Sequence, residues 1–277
     1  MPLLRVPEPY DFALSTERFR TFGPDLANLW HEGGLHRVVG NSEVRIEAAP
    51  GGVLVEPLDV ETEPVVRQLL GLEFDLGAFA AFAADGDVPL ARIAVALAGL
   101  RPPLAPEPFE ALVSSITAQQ VSMHAAFAIR SRLIERFGRR AGLAYAFPTG
   151  ERLAQATEAE LIALGFSGRK AEYVLGLARS ELAFDELGAL PDEEVKERLL
   201  AVRGLGEWSA DWFLARHLAR PRAWPAGDLA LRKAVSAFYA RGRPLSIQEV
   251  RAVGARFEPF QNLAAHYLLT ASRTLAR

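Results

Sequence analysis

Apolar residues recur at the helical period from about Val65 to the end of the chain. PLARIAVALAGL (89–100) is predicted as one helix, stopped by Pro102-Pro103 because proline cannot continue the hydrogen-bond ladder. Phe109, Leu112, Val113 and Ile116 fall at i, i+3, i+4, i+7, one face of a helix entered at Pro108. After Gln119-Gln120 a second helix turns Ala126, Ile129, Leu133 and Phe137 inward, and Gly138 ends it. The same spacing predicts helices over about 151–164, 168–180, 192–203, 208–219, 229–240, 247–257 and 259–275. Ser246-x-x-Glu249 is a capping box for the penultimate one.

The first ninety residues break this period. VRIEAAPGGVLVEP (44–57) reads as two extended runs around Pro50-Gly51-Gly52, a hairpin signal. LSTERFRTF and PDLANLWHEGG ahead of it read as a helical stretch or two. The expected fold is therefore mainly α with an α+β N-terminal domain over 1–88 and an all-α region over 89–277. There is no internal repeat and no low-complexity tract.

Composition narrows the chemistry. The chain has no cysteine, which excludes disulfides, thiolate zinc sites and cysteine-ligated iron–sulfur clusters. No apolar run reaches the roughly 18 residues of a membrane span, and MPLLRVPEPYDF has no long apolar signal-peptide core. A cytosolic protein with no membrane partner is expected. The net charge of −3 hides an asymmetry: residues 1–90 hold 15 acids, 6 Arg and no Lys, and the other 187 hold 19 acids and 25 bases. That balance fits either a nucleic-acid partner for the basic part or an ordinary solvated surface.

Two features carry candidate chemistry. Asp192, Glu193 and Glu194 open a helix whose buried stripe is Val195, Leu199 and Val202, and Gly204 ends it. Two residues later the next helix begins, so Gly204-Leu205-Gly206 is a helix–hairpin–helix pattern. The unpaired amides of such a turn suit a phosphate oxygen; a plain tight turn between helices is the other reading. Asp228, after Pro225-Ala226-Gly227, precedes a helix with Leu231 and Val235 on its apolar face. As an N-cap it is rigidly aimed.

Gly-Leu-Gly-x-Trp-Ser-Ala, a helix, and a Pro/Gly-rich loop ending in Asp resemble the helix–hairpin–helix/Gly-Pro-Asp (HhH-GPD) DNA glycosylase superfamily. PFEALVSSITAQQVSMHAA (108–126) and LGFSGRKAEYVLGLA (164–178) are similar to its alkylbase branch, the AlkA-type DNA-3-methyladenine glycosylases II. The resemblance implies two helical subdomains with an active-site cleft between them and a small antiparallel, TBP-like N-terminal domain. It implies a monomeric enzyme, needing no cofactor, that acts on double-stranded DNA containing damaged bases. Asp228 takes the catalytic position, stabilising the sugar oxocarbenium or orienting water. Trp208 and Trp212, four apart on one helix face, line the base pocket, where aromatic faces favour a cationic base; as residues alone they read first as core aromatics. Gly204, Leu205, Gly206 and Ser209 face DNA at the hairpin, with phosphate on the amides of Gly204, Gly206 and Ser209. Gln120 fills the gap of the flipped base, and Arg169 and Lys170 meet phosphates. Carbonyls of Leu200, Val202 and Leu205 could hold a monovalent cation.

Bifunctional members place a Schiff-base lysine two residues after the second hairpin glycine, where this chain has Trp208. Only Lys170, Lys196 and Lys233 exist, so a lyase would have to use Lys233. A non-catalytic DNA grip is a further alternative, and Asp228 argues against it. Because Asn caps nearly as well as Asp, Asp228→Asn is expected to keep the fold and lose base release.

Overall fold

The computed structural model describes residues 1–275. An antiparallel sheet forms from β1 (Leu3–Arg5), β2 (Leu29–His31), β3 (Gly34–Val39), β4 (Ser42–Ala49) and β5 (Gly52–Glu56), in the order β1-β5-β4-β3-β2. The β4–β5 hairpin pairs Ala49 with Gly52 across Pro50-Gly51, with Gly51 at φ 77°. That is the geometry a Pro-Gly turn supplies without strain. Alternation puts Val44, Ile46, Val53 and Val55 on one fully buried face. Two short helices, α1 (Phe12–Ser15) and α2 (Arg18–Thr21), and α3 (Thr62–Leu69) cover this face through Phe12, Phe19, Val66 and Leu69.

Helices α4 (Leu76–Ala84), α5 (Val88–Ala96), α6 (Pro108–Ala118) and α7 (Met123–Phe137) lead into the second core. A ribbon of β6 (Arg139–Ala141) and β7 (Ala144–Ala146) follows, then α8 (Gly150–Ala154), α9 (Glu158–Ala163) and α10 (Gly168–Ala178). The chain closes with α11 (Asp192–Leu200), α12 (Glu207–Arg216), α13 (Leu229–Tyr239), α14 (Ile247–Ala255) and α15 (Gln261–Thr274). The predicted inward positions of α6 and α7 are buried, from Leu112, Val113 and Ile116 to Leu133 and Phe137.

Two expectations change. PDLANLWHEGG is not helical: Leu29–His31 forms β2, pairing Trp30 with Leu35, while Asp25 bonds the Ala27 amide and the Asn28 side chain to make the preceding turn. The stretch 151–164 is two helices, because Thr157 and Glu160 close a capping box that starts α9. The sheet's core ends at Leu72, and Leu76 and Phe79 of α4 belong to the helical core.

The two cores are joined by a buried ionic seam. Arg37 of β3 donates to Glu110 of α6 at 2.6 Å, and Arg130 of α7 donates to Glu110 at 2.6 Å and Asp25 at 3.2 Å. Burial alone would raise the Glu110 carboxyl, but Arg37 and Arg130 beside it hold it down at about 2.

Candidate active site

Helix α12 carries Trp208, Trp212 and Arg216 at i, i+4, i+8, one stripe along one face. Asp228 is the N-cap of α13, its Oδ1 accepting from the Leu231 amide at 2.8 Å. The loop before it is fixed on both sides. The Asp228 amide donates to Pro225, and Trp224 donates from Nε1 to the Val250 carbonyl at 3.0 Å while packing where Gly254 has no side chain. The aspartate is thus aimed at the α12 stripe. Its Oδ2 accepts from the indole N–H of Trp208 at 2.8 Å and of Trp212 at 3.1 Å.

These groups line a cavity of about 420 Å³ between the α1–α2 segment and helices α6, α7, α12, α13 and α15. The volume suits a small organic ligand. Trp208 is half-buried and Trp212 buried. The expected cationic base on Trp212 meets competition from within the chain, because the guanidinium of Arg216 lies 3.7 Å from the centre of that ring. His266 of α15 meets the other side of Trp212 in an edge-on contact at 5.7 Å. Burial, then repulsion from Arg216, Arg18 and Arg273, pushes the His266 pKa well below its usual value, so the ring is neutral at pH 7. Burial and the cations Arg18 and Arg273 likewise pull Arg216 down, against the attraction of Asp228.

The hairpin lies beside this cleft. Helix α11 ends at Leu200, earlier than residue 203, and Val202 tightens the turn by donating to the Leu199 carbonyl. Gly204 follows at φ 96°, and a Cβ there would fall 2.2 Å from the Tyr173 ring, so glycine is required twice over. Gly206 is exposed with open space around it. Among the described residues the amides of Gly204, Gly206 and Ser209 donate no hydrogen bond. Ser209 is buried and its hydroxyl accepts from Ser115 at 2.8 Å. The Leu205 side chain is buried in the helical core, leaving only its backbone for a ligand. The carbonyls of Leu200 and Leu205 accept no backbone hydrogen bond among the described residues, whereas that of Val202 accepts from Leu205. Such a set of neutral oxygens fits a hard cation of low charge.

Gln120 sits in the α6–α7 turn, exposed and at φ 54°, a left-handed conformation that a non-glycine residue adopts at a cost. Its neighbour Gln119, overlooked in the sequence, donates to the Gly204 carbonyl at 2.9 Å and clamps this turn to the hairpin. Arg169 is exposed at the start of α10. Lys170 is corrected: it is buried, and its ammonium donates to the Thr117 carbonyl at 2.9 Å, capping the end of α6 rather than facing a phosphate. Lys233 is exposed and lies outside the cavity lining, and Lys196 pairs with Asp211 at 3.0 Å. Arg18, Arg216 and His266 were also missed. Arg216 alone had a signal, its place four residues beyond Trp212.

Comparison with known proteins gives the same region a family. A model described as HhH-GPD superfamily base excision DNA repair protein matches residues 113–255. A DNA-3-methyladenine glycosylase of Bacillus subtilis is 29% identical over 178 residues, covering 61% of this chain and 59% of the relative. The chain therefore spans less than two thirds of that protein. Among solved structures, a 3-methyladenine DNA glycosylase from Archaeoglobus fulgidus superposes with a TM-score of 0.91 at 26% identity, covering 99% of each chain. A Schizosaccharomyces pombe 3-methyladenine DNA glycosylase in complex with abasic DNA aligns at TM-score 0.64 and 25% identity, over 72% of this chain and 98% of that one.

Proposed function

The chain belongs to the HhH-GPD superfamily of base excision DNA repair proteins, and from that membership we propose that it is a monofunctional DNA glycosylase for alkylated bases. Its substrates are 3-methyladenine, 7-methylguanine and related bases in duplex DNA, each flipped from the stack into the cavity. The observation that carries the reading is the carboxylate of Asp228 in the cavity wall, capped on one oxygen and held by two indoles on the other.

A cationic methylated base is already a good leaving group, so the reaction needs little acid catalysis. It needs negative charge beside the sugar as the oxocarbenium develops, and an acceptor to orient water. Asp228 supplies both, with no conformational freedom to lose at the moment of reaction. The free amides of Gly204, Gly206 and Ser209 take a phosphate oxygen, and the carbonyls of Leu200, Val202 and Leu205 take a monovalent cation on the same turn. Gln120, on its strained turn, fills the gap of the flipped base, and Arg169 meets the backbone. Lyase chemistry lacks an amine among the described residues that line the cavity, since Trp208 stands at the lysine position and Lys233 is outside the lining.

The test is release of 3-methyladenine from dimethyl-sulfate-treated duplex DNA, followed by chromatography of the free base. We expect release by the wild-type chain and no borohydride-trapped protein–DNA adduct. A trapped adduct would move the reaction to a lyase using Lys233. Binding without any release would make the protein a grip.

A further inference from the structure

The turn between α6 and α7 is not held by packing of its own. Gln120, Val121 and Ser122 are all exposed, so none of them anchors it in a core. Gln119 at φ −58° and ψ 128°, then Gln120 at φ 54°, follow a type II turn, whose second central position favours glycine or asparagine. Glutamine at that position keeps a long polar side chain outside at a backbone cost, a pattern found where a side chain has a task. Among the described residues, a single hydrogen bond ties residues 119–122 to a distant segment, the one from Gln119 Nε2 to the Gly204 carbonyl at 2.9 Å. No backbone amide donates to that carbonyl. The hairpin is fixed without this bond: Gly204 packs on Tyr173, and Leu205 is buried and donates from its amide to Val202 at 3.1 Å. The neighbouring ties, Ser115 to Ser209 and Lys170 to Thr117, hold the body of α6 and stop short of the turn. A rigid hairpin therefore moors a loosely held turn through one side-chain amide.

We propose that Gln119 is a positioning residue, which sets the gap-filling Gln120 in register with the phosphate held by the hairpin. The inference rests on the glycosylase reading above. Once the hairpin amides take a phosphate oxygen, the duplex is registered on the hairpin, and Gln120 has to meet the gap left by the flipped nucleotide. Gln119 couples the two without touching the base. A shift of about 1 Å in a positioning group can cost about 100-fold in rate. The grip itself does not depend on Gln119, and phosphate contacts dominate affinity for an ordinary duplex. Loss of the mooring therefore falls on keeping the nucleotide out of the stack, and so on base release, and leaves binding of undamaged DNA in place.

The experiment uses Gln119→Met, which keeps the length of the side chain and removes the donor, in the wild-type chain and in a Gln120→Ala background. Single-turnover release of 7-methylguanine at saturating enzyme reads the reaction, 2-aminopurine fluorescence beside the lesion reads flipping, and anisotropy with an undamaged duplex reads the grip. Gln119→Met should release base about 10- to 100-fold more slowly, with a weaker 2-aminopurine signal. Its affinity for undamaged duplex should stay within about threefold of wild type, and its melting temperature within about 4 °C, the size of one neutral hydrogen bond. Gln119→Leu, a second side chain without the donor, should repeat the result. In the Gln120→Ala background Gln119→Met should change release by less than about threefold, because the group it positions has gone. The proposal is overturned if Gln119→Met releases base at the wild-type rate, or if duplex affinity falls by the same factor as the rate. It is also overturned if the loss is undiminished without the Gln120 side chain, which would make Gln119 itself the DNA contact. No release by wild type would instead sink the glycosylase reading, and this inference with it.

Discussion

Asp228→Asn is not the silent substitution that cap statistics imply. At the N-cap an asparagine oxygen can accept from Leu231 almost as well as the carboxylate does. The other oxygen has only donors around it, the indoles of Trp208 and Trp212. An amide offers one oxygen and one NH₂ group. With the oxygen on Leu231, the NH₂ group faces two N–H donors; with the amide flipped, the cap is lost instead. Hydrogen bonds to charged groups contribute about 1.5–3 kcal/mol each, so two lost bonds set an upper bound of about 3–6 kcal/mol. Water from the cavity partly replaces them at a half-buried site, and the variant no longer desolvates a charge. We expect a net loss of about 2–3 kcal/mol, and a melting temperature lower by roughly 4–12 °C for a chain of this size.

A mutant cycle separates this effect from others. In a Trp208→Phe/Trp212→Phe background no indole donor remains, so Asp228→Asn should cost only a few tenths of a kcal/mol. The coupling between the aspartate and the two indoles is then about 2 kcal/mol, read from thermal or urea melts. An Asp228→Asn protein melting within about 1 °C of wild type would refute the reasoning. So would an equal cost in both backgrounds. Either result would mean that the indoles do not hold the carboxylate, and that loss of base release in Asp228→Asn reports chemistry alone.

Two further outcomes follow from the seam and the hairpin. Glu110 has its carboxyl depressed from 4.5 to about 2, so its stabilising charge is fully present above about pH 4.5 and is lost as pH falls towards 2. Urea melts between pH 7 and 3 should show this loss in wild type. Glu110→Gln should be about 3–5 kcal/mol less stable at pH 7 and show less of the acid dependence; equal slopes would put the acid sensitivity elsewhere. Gly204→Ala combines a left-handed φ with a clash on Tyr173 and should lose about 2–4 kcal/mol and DNA affinity together. Gly206→Ala, with extended backbone and open space around it, should melt like wild type. Similar melting of the two alanine variants would contradict the packing described for Gly204.

What the sequence made legible was local. The helical period located α6, α7 and α10–α15 because each buries one stripe, and capping chemistry located the start of α14 and the aim of Asp228. The partners of Asp228 were visible only as two tryptophans four apart. That they point their N–H groups at the carboxylate depends on how the 224–227 loop is pinned to α14, a contact no window contains. Leu29–His31 became a strand because β3 offers a partner register, and Lys170 turned inward because the Thr117 carbonyl, 53 residues earlier, needed a donor. Arg18, Arg216 and His266 come from three distant segments, and only the closed cavity makes them neighbours.

The charge asymmetry along the chain takes a different meaning once those neighbours are known. An acidic first third beside a basic remainder suggested a DNA-facing part and a part turned away. Several of those acids instead face the basic region directly: Asp25 meets Arg130, Glu17 meets Arg273, and Glu43 receives the Leu143 amide. Arg37 returns the exchange by reaching Glu110. Opposite charges drawn from the two parts are thus partly used up in holding them together, and whole-chain balance overstates what is left for a phosphate backbone. The same seam fixes the α1–α2 segment as one wall of the cavity. Arg18 is the charge on that wall that makes no ion pair among the described residues, so the positive excess beside Asp228 comes from both halves of the molecule. It persists only while the seam is intact. Acid that neutralises Glu110 should therefore perturb the cavity along with the fold.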